Sequence, residues 1–396
     1  GARRLPRSDI TGSGFQGERP INIKPQRHTM KDEDLRDFAE VLVDRGARVQ
    51  KGENVYIMAS SLEALPLFEE VRRQVMDRGG NPHEHLLYDS QIGSEGIDRD
   101  MLQHSSREQL ESMSEAKLEE MKRMDAYIRI GGTENPLDMN EADSGKITTV
   151  KKATEEILEA RMDTKWVATR YPTSGLAQLA GMPTEKFQRF VVDSVTGVDW
   201  ETLESRNQEV KEVFDGAESV RVEAEGTDLE FSLSGREGET SVGRHNLPDG
   251  EVFYAPRKNS VNGEISFRFP GVQNGRIAED VRLVFEDGKV VEASASSGEK
   301  FLKEMLETDE GARYIGEFGI GTNRQIDRHV KNTLFDEKIG GTVHFALGRA
   351  YERCVPEGEE RNRSGIHWDI VEDLRTDGRI YVDGEKVMEN GKWLFH

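Results

Sequence analysis

Apolar positions follow two different periods along this chain. After Met30, Leu35, Phe38, Leu42 and Val43 fall on one stripe at helical spacing. Short apolar runs then alternate with amphipathic stretches. Asn54-Val55-Tyr56-Ile57-Met58, His85-Leu86-Leu87-Tyr88, Ala126-Tyr127-Ile128-Arg129-Ile130 and Trp166-Val167-Ala168-Thr169 read as strands. Leu62 to Met76, Thr154 to Met162 and the stretch 184–214 read as helices. Such alternation predicts an open, mostly parallel sheet with helices on both faces. Beyond Ser219 the texture changes to strands and turns. Val220-Arg221-Val222, Leu229-Glu230-Phe231, Ile265-Ser266-Phe267 and Val281 to Phe285 read as strands, and Asp287-Gly288 and Asp383-Gly384 as hairpin turns. The fold class expected is α/β: an N-terminal open sheet in residues 30–215, then a strand-rich α+β domain in 216–396 that carries the chemistry. Residues 1–29 are rich in arginine, glycine and proline and show no amphipathic period. They read as a flexible extension or an expression remnant ahead of a native start near Met30.

Composition narrows the function classes. No run approaches the roughly 18 consecutive apolar residues of a membrane helix, and no secretion signal is evident. The single cysteine, Cys354, excludes an internal disulfide and a multi-thiolate zinc site, so a reducing cytoplasm is the natural location. A net charge of −21 argues against nucleic acid or an anionic membrane as partner, because both need a basic face. Acidic residues total 75 and arginine (35) outnumbers lysine (19). That surface is similar to an extreme halophile's; the alternative is an ordinary acidic cytoplasmic enzyme.

Candidate metal ligands gather in the second half. In Gly365-Ile366-His367-Trp368-Asp369-Ile370, period 2 puts His367 and Asp369 on one strand face and Ile366, Trp368 and Ile370 on the other. In Thr342-Val343-His344-Phe345-Ala346-Leu347-Gly348, His344 shares its face with Ala346 and Gly348, where little volume competes with a ligand. Glu317 lies among glycines in Gly316-Glu317-Phe318-Gly319-Ile320-Gly321. Glu251 opens a strand after the turn Pro248-Asp249-Gly250. Taken singly, each has an ordinary reading: a surface pair, a core histidine, a solvated carboxylate. Together they form a mixed oxygen and nitrogen set that suits two borderline divalent ions such as zinc, cobalt or manganese. Tyr351 offers a phenol nearby. His245 and Glu337 are candidates for supporting positions. His83 and His85 flank Glu84 without a carboxylate set around them, and His28, His104, His329 and His396 carry no supporting context.

These segments resemble the thermophilic aminopeptidase family, the metallopeptidases typified by aminopeptidases T and S. The similarity runs through residues 247–256, 315–323, 336–348 and 362–369, with a further segment at 171–182, and covers about residues 31–396. It implies Glu251, Glu317, His344, His367 and Asp369 as ligands of two divalent metal ions. Glu317 would bridge the ions and help activate water, and Tyr351 would polarise the substrate or touch the metal. It further implies hydrolysis of the N-terminal peptide bond of short peptides, inside a homodimer with an enclosed cavity. Arg349 and residues 353–363 depart from the family pattern, which puts loop length and substrate preference in question. Two readings compete: another binuclear hydrolase acting on phosphoesters or non-peptide amides, and a non-catalytic metal-binding protein on the same fold.

Overall fold

A computed structural model describes residues 30–395 apart from 89–96, 113–114, 140–141 and 274. The expectations for residues 1–29, His28 and His396 lie outside the described residues. The first strands are β1 (Asn54–Ala59), β2 (Asn81–Leu86), β3 (Ala126–Gly131) and β4 (Lys165–Arg170). They form a sheet in the order β2-β1-β3-β4, and every pairing in it is parallel. Strands of a parallel sheet are covered on both faces, so β1 and β3 are apolar almost throughout. Val55, Ile57 and Ala59 face one core, which holds Phe38, Leu67 and Val71 from the first two helices. Tyr56, Met58 and Tyr127 face a second core with Met121, Met124 and Ile157. The helices Asp32–Glu40 and Leu65–Asp77 use their apolar stripes for the first of these cores. Gly46, at the end of the helical turn Val41–Gly46 that follows the first helix, lets this segment approach the sheet, since a Cβ there would lie 2.7 Å from Val167 Cγ2.

Two elements depart from the sequence reading. β2 spans Asn81–Leu86 rather than 85–88. It is an edge strand bonded only to β1 and half exposed along its length, so hydrophobicity does not mark it, and Pro82 is tolerated there. The helical stretch 184–214 is two helices, Thr184–Thr196 and Trp200–Phe214, parted at Gly197. The Asp199 side chain accepts from Thr202 N at 3.1 Å to begin the second.

The remaining strands are β5 (Val220–Ala224), β6 (Thr227–Phe231), β7 (Glu239–Ser241), β8 (Asn246–Leu247), β9 (Glu251–Tyr254), β10 (Asn262–Ser266), β11 (Gly271–Gln273) and β12 (Arg276–Ala278). After them come β13 (Arg282–Glu286), β14 (Lys289–Ser294), β15 (Ile315–Gly321), β16 (Thr342–Gly348), β17 (His367–Asp373), β18 (Arg379–Val382), β19 (Glu385–Glu389) and β20 (Lys392–Trp393). An antiparallel sheet in the order β14-β13-β10-β6-β5-β18-β19-β20 packs on a second in the order β17-β16-β15-β9-β7. Both Asp-Gly turns close hairpins as predicted, with φ of 48° and 85° at Asp287 and Gly288 and 49° and 85° at Asp383 and Gly384. Between the two sheets lie Val222, Leu229, Phe231, Ile265 and Leu283 from one, and Val252, Tyr254, Phe318, Phe345, Trp368 and Ile370 from the other. The halves interlock. β8 adds to the first sheet in parallel beside β4, and Ile326, Val330, Phe335 and Ile339 pack into the first core. Among the described residues no helix is long and apolar enough to cross a membrane.

Candidate metal centre

The face of the second sheet turned away from its core carries the candidate ligands. On β16, Val343, Phe345 and Leu347 enter the core, which leaves His344, Ala346 and Gly348 on the opposite face. Ala346 pairs with Glu317 on one side and with Asp369 on the other, so the two carboxylates flank a methyl group. A register slip in β15 sets Glu317 there: Ile315 pairs with Leu347, yet Glu317 pairs with Ala346. Without the extra residue, Ile315 and Glu317 would share a face. Gly316 absorbs the bulge, because a Cβ on it would stand 2.3 Å from the Gly348 carbonyl oxygen. Gly319 lies opposite His344, and a Cβ there would come within 2.0 Å of His344 Nε2. The glycines predicted to leave room beside Glu317 therefore leave it for the imidazole.

All five residues singled out as ligands converge. His344 Nε2 is 3.2 Å from Glu317 Oε1 and 3.5 Å from Glu251 Oε2. His367 Nε2 is 3.4 Å from Asp369 Oδ2 and 3.7 Å from Glu317 Oε2. One ligand atom from each of Glu317, His344 and Asp369 lies within 4.8 Å of the other two. His367 Nδ1 donates to the Arg349 carbonyl at 2.7 Å, which leaves the Nε2 lone pair facing the carboxylates. Tyr351 stands beside this group, with its ring centroid 4.9 Å from that of His367 and 5.8 Å from that of Phe253. Burial, then the charges of Glu317 and Asp369, hold its phenol protonated well above the usual range.

The segment after the turn Thr333–Asp336 covers the face and brings Glu337 and Lys338. The Lys338 ammonium is buried, lies 3.1 Å from Glu251 Oε1 and donates to Glu337. Asp249, also buried, accepts from Gly243 N at 2.8 Å. Burial opposes the charge on Lys338, but Glu251, Glu337 and Asp249 hold it well above the ordinary lysine range. Burial lifts Glu317 to about 8, with Glu251 and Glu337 adding to the shift while His367 and Lys338 oppose it. It likewise lifts Glu337 to about 7 and, with Glu317 repelling, Asp369 to about 6. With all five carboxylates ionised and both histidines neutral, the one ammonium leaves a formal −4, the charge that two divalent cations would cancel. Glu251 Oε2, Glu317 Oε2 and Asp369 Oδ1 are buried without a hydrogen-bond partner. Unpaired buried carboxylate oxygens are costly unless a cation meets them, so the donor set fits a metal centre.

Other expectations resolve differently. His245 stacks on Trp166 at 4.6 Å, so its contacts belong to β4. His85 Nε2 is 3.1 Å from Glu120, and His329 Nε2 is 3.2 Å from Asp336. Glu337 does reach the cluster. Lys338 and Asp249 are additions from the structure. Their only sequence signal is adjacency: Lys338 follows Glu337, and Asp249 stands two residues before Glu251.

A model of the family described as thermophilic metalloprotease (M29) matches residues 31–393. "Aminopeptidase AmpS" of Bacillus subtilis is 26% identical over 91% of this chain and 98% of its own. "Aminopeptidase T" of Thermus thermophilus is 27% identical over 91% and 98%. Among solved structures, wild-type AmpT from Thermus thermophilus superposes with a TM-score of 0.77 at 24% identity, covering 92% of this chain and 99% of that one. A 2,5-dihydroxypyridine dioxygenase from Pseudomonas putida KT2440 shares the fold at a TM-score of 0.58 and 16% identity, covering 91% and 96%. Shared fold therefore does not by itself fix the reaction.

Proposed function

This chain belongs to the thermophilic metalloprotease family M29, and from that membership we propose that it is an aminopeptidase removing the N-terminal residue of short peptides at a two-metal centre. Its relatives carry the name aminopeptidase along almost their whole length. The observation that carries the metal part is the buried cluster of Glu251, Glu317, His344, His367 and Asp369, whose carboxylates keep unpartnered oxygens. In this reading those five side chains hold two divalent ions, zinc, cobalt or manganese. When bound, such ions supply Lewis acidity and a nucleophilic water at neutral pH. Glu317, central in the cluster, takes up and returns the proton that the attacking water loses. Tyr351 keeps its hydroxyl proton and so donates a hydrogen bond to the carbonyl oxygen as charge develops there. Lys338 fixes one oxygen of Glu251 and leaves the other free for the centre.

The reading includes a homodimer with an enclosed cavity, a cytoplasmic location and a salt-adapted surface. Sedimentation tests the dimer. Activity is tested by stripping the protein with chelator, restoring zinc, cobalt or manganese, and following aminoacyl-nitroanilides and leucyl peptides with free or acetylated N-termini. Hydrolysis of free N-termini that needs metal is expected. Equal cleavage of acetylated peptides, or none of either with metal bound, would sink the aminopeptidase reading.

A further inference from the structure

Open α/β sheets bind ligands beyond the C-terminal ends of their strands, above all where the strand order reverses. Here the reversal falls between β1 and β3: β1 leads to β2 at one edge, and the chain then crosses back to β3 and β4. A cavity of about 290 Å³ opens at this place. Ser60 after β1, Arg129 on β3, Arg170 at the end of β4, Gln273 and Lys331 line it. Ser60 Oγ accepts from Gly132 N at 2.9 Å and donates to Gly132 O at 3.1 Å, which ties the two strand ends together.

The two arginines are built into one face. Arg170 pairs with Gly131, and Arg129 stands two residues before that glycine, so their side chains are diagonal neighbours. A Cβ on Gly131 would lie 2.0 Å from Arg170 Nη1, so this glycine gives the guanidinium its course over the strand. Burial and the charge of Arg129 pull Arg170 down to about 10. Among the described residues, Arg129, Arg170 and Lys331 have no carboxylate partner, and Arg129 Nε is buried without any hydrogen-bond partner. This happens in a chain with 75 acidic residues, in which surface arginines such as Arg221, Arg276 and Arg282 do meet a carboxylate. These cations are half-buried, and like charges held together with a buried unpaired donor are costly unless an anion joins them.

We propose that this cavity binds a small oxyanion, a carboxylate or a phosphate, on the guanidinium groups of Arg129 and Arg170. Guanidinium matches both oxyanions in a two-pronged geometry. Leu176 and Leu334 also line the space, so the bound molecule carries an apolar portion of a few carbons. The volume lies at the small end of the roughly 300–1,000 Å³ of ligand sites. The oxyanion has two sources, a free anionic metabolite or the C-terminal carboxylate of a short peptide. The cavity wall continues toward the metal centre, since Gln273 Nε2 donates to the His367 carbonyl at 3.2 Å.

The test is calorimetric titration of the metal-loaded protein with inorganic phosphate and with N-acetyl-leucine, which has no free amine. It is repeated on Arg170→Gln, Arg170→Lys and Arg129→Gln, with melting temperature and metal content showing that each is folded. Phosphate contact with the metals is common to all four proteins, so the difference between them is what counts. Loss of one charge-assisted contact weakens binding about tenfold. That loss is expected in both glutamine variants, with part of the affinity kept by Arg170→Lys. A rise in KM for peptide acids but not peptide amides in the glutamine variants assigns the site to a peptide terminus. Probe binding lost with that ratio unchanged assigns it to a free anion. Equal affinity for both probes in wild type and in either folded glutamine variant overturns the proposal. Because binding is read directly, it fails or stands apart from the aminopeptidase reading.

Discussion

Glu317 meets most of the other groups at the centre: it faces His344 and His367 and shares Ala346 with Asp369. Glu317→Gln keeps the volume and removes the charge, so loss of most activity is expected with a small change in melting temperature. Tyr351→Phe removes one donor, worth about 10²–10³ in turnover. Wild-type turnover in either variant at saturating metal would remove that residue from the mechanism. Strand alternation marked His344, His367 and Asp369 as candidates, and a glycine run and a turn marked Glu317 and Glu251. Singly each had an ordinary reading, and the five stood out only as a set and through the family resemblance. Lys338 and Asp249 did not stand out. A buried ammonium is recognisable only once its carboxylates surround it, and these arrive from two separate segments, 249–251 and 337. Arg129 was equally hidden, inside a strand otherwise read as apolar.

At the scale of the element, one sheet face holds the candidate site and its glycines set the clearances. Gly319→Ala puts a methyl where His344 Nε2 now lies, so the ring must move. The expected result is a metal affinity lower by at least about 10–100-fold, the range seen when a ligand's support is disturbed. Calorimetry with zinc checks it, and unchanged affinity would mean that His344 is not a ligand. The same face predicts a pH response in metal-stripped protein. Burial raises Glu317 to about 8 and Asp369 to about 6, above the roughly 4 of unfolded carboxylates. The neutral acids thus favour the fold at low pH, and that contribution is lost as pH rises through those values. Melting temperature of stripped protein should fall between about pH 5 and 8, and that of metal-loaded protein much less. A rise in stripped protein over this window would contradict the buried cluster. Strands with two buried faces, such as β1 and β3, and hairpins with Asp-Gly turns were readable from sequence. The polar edge strand β2 and the bulge at Gly316 were not, because each depends on what lies beside the strand rather than on its own pattern.

For the whole molecule the governing quantity is the net charge of −21. Local pairing does not remove it. Arg221 meets Asp228 at 2.7 Å and Glu223 at 3.2 Å, and Arg276 meets Glu304 at 2.7 Å, yet each such contact consumes one charge of either sign. The excess of acidic groups therefore repels itself across the surface, and more so when two copies meet in a dimer. At about 1 M salt the Debye length is only about 3 Å, so repulsion between exposed carboxylates is largely screened. A chain relying on that screening gains melting temperature and activity from dilute to molar potassium chloride, and any dimer it forms tightens over the same range. A chain that merely has an acidic surface shows a flat response, because its packing already outweighs the repulsion. Melting temperature, peptidase rate and sedimentation between about 0.1 and 2 M potassium chloride, a range over which screening saturates, separate the two. A melting temperature that is constant or falls across that range would refute salt adaptation. The buried carboxylate cluster would be unaffected by that outcome, since salt screens buried charges far less than exposed ones.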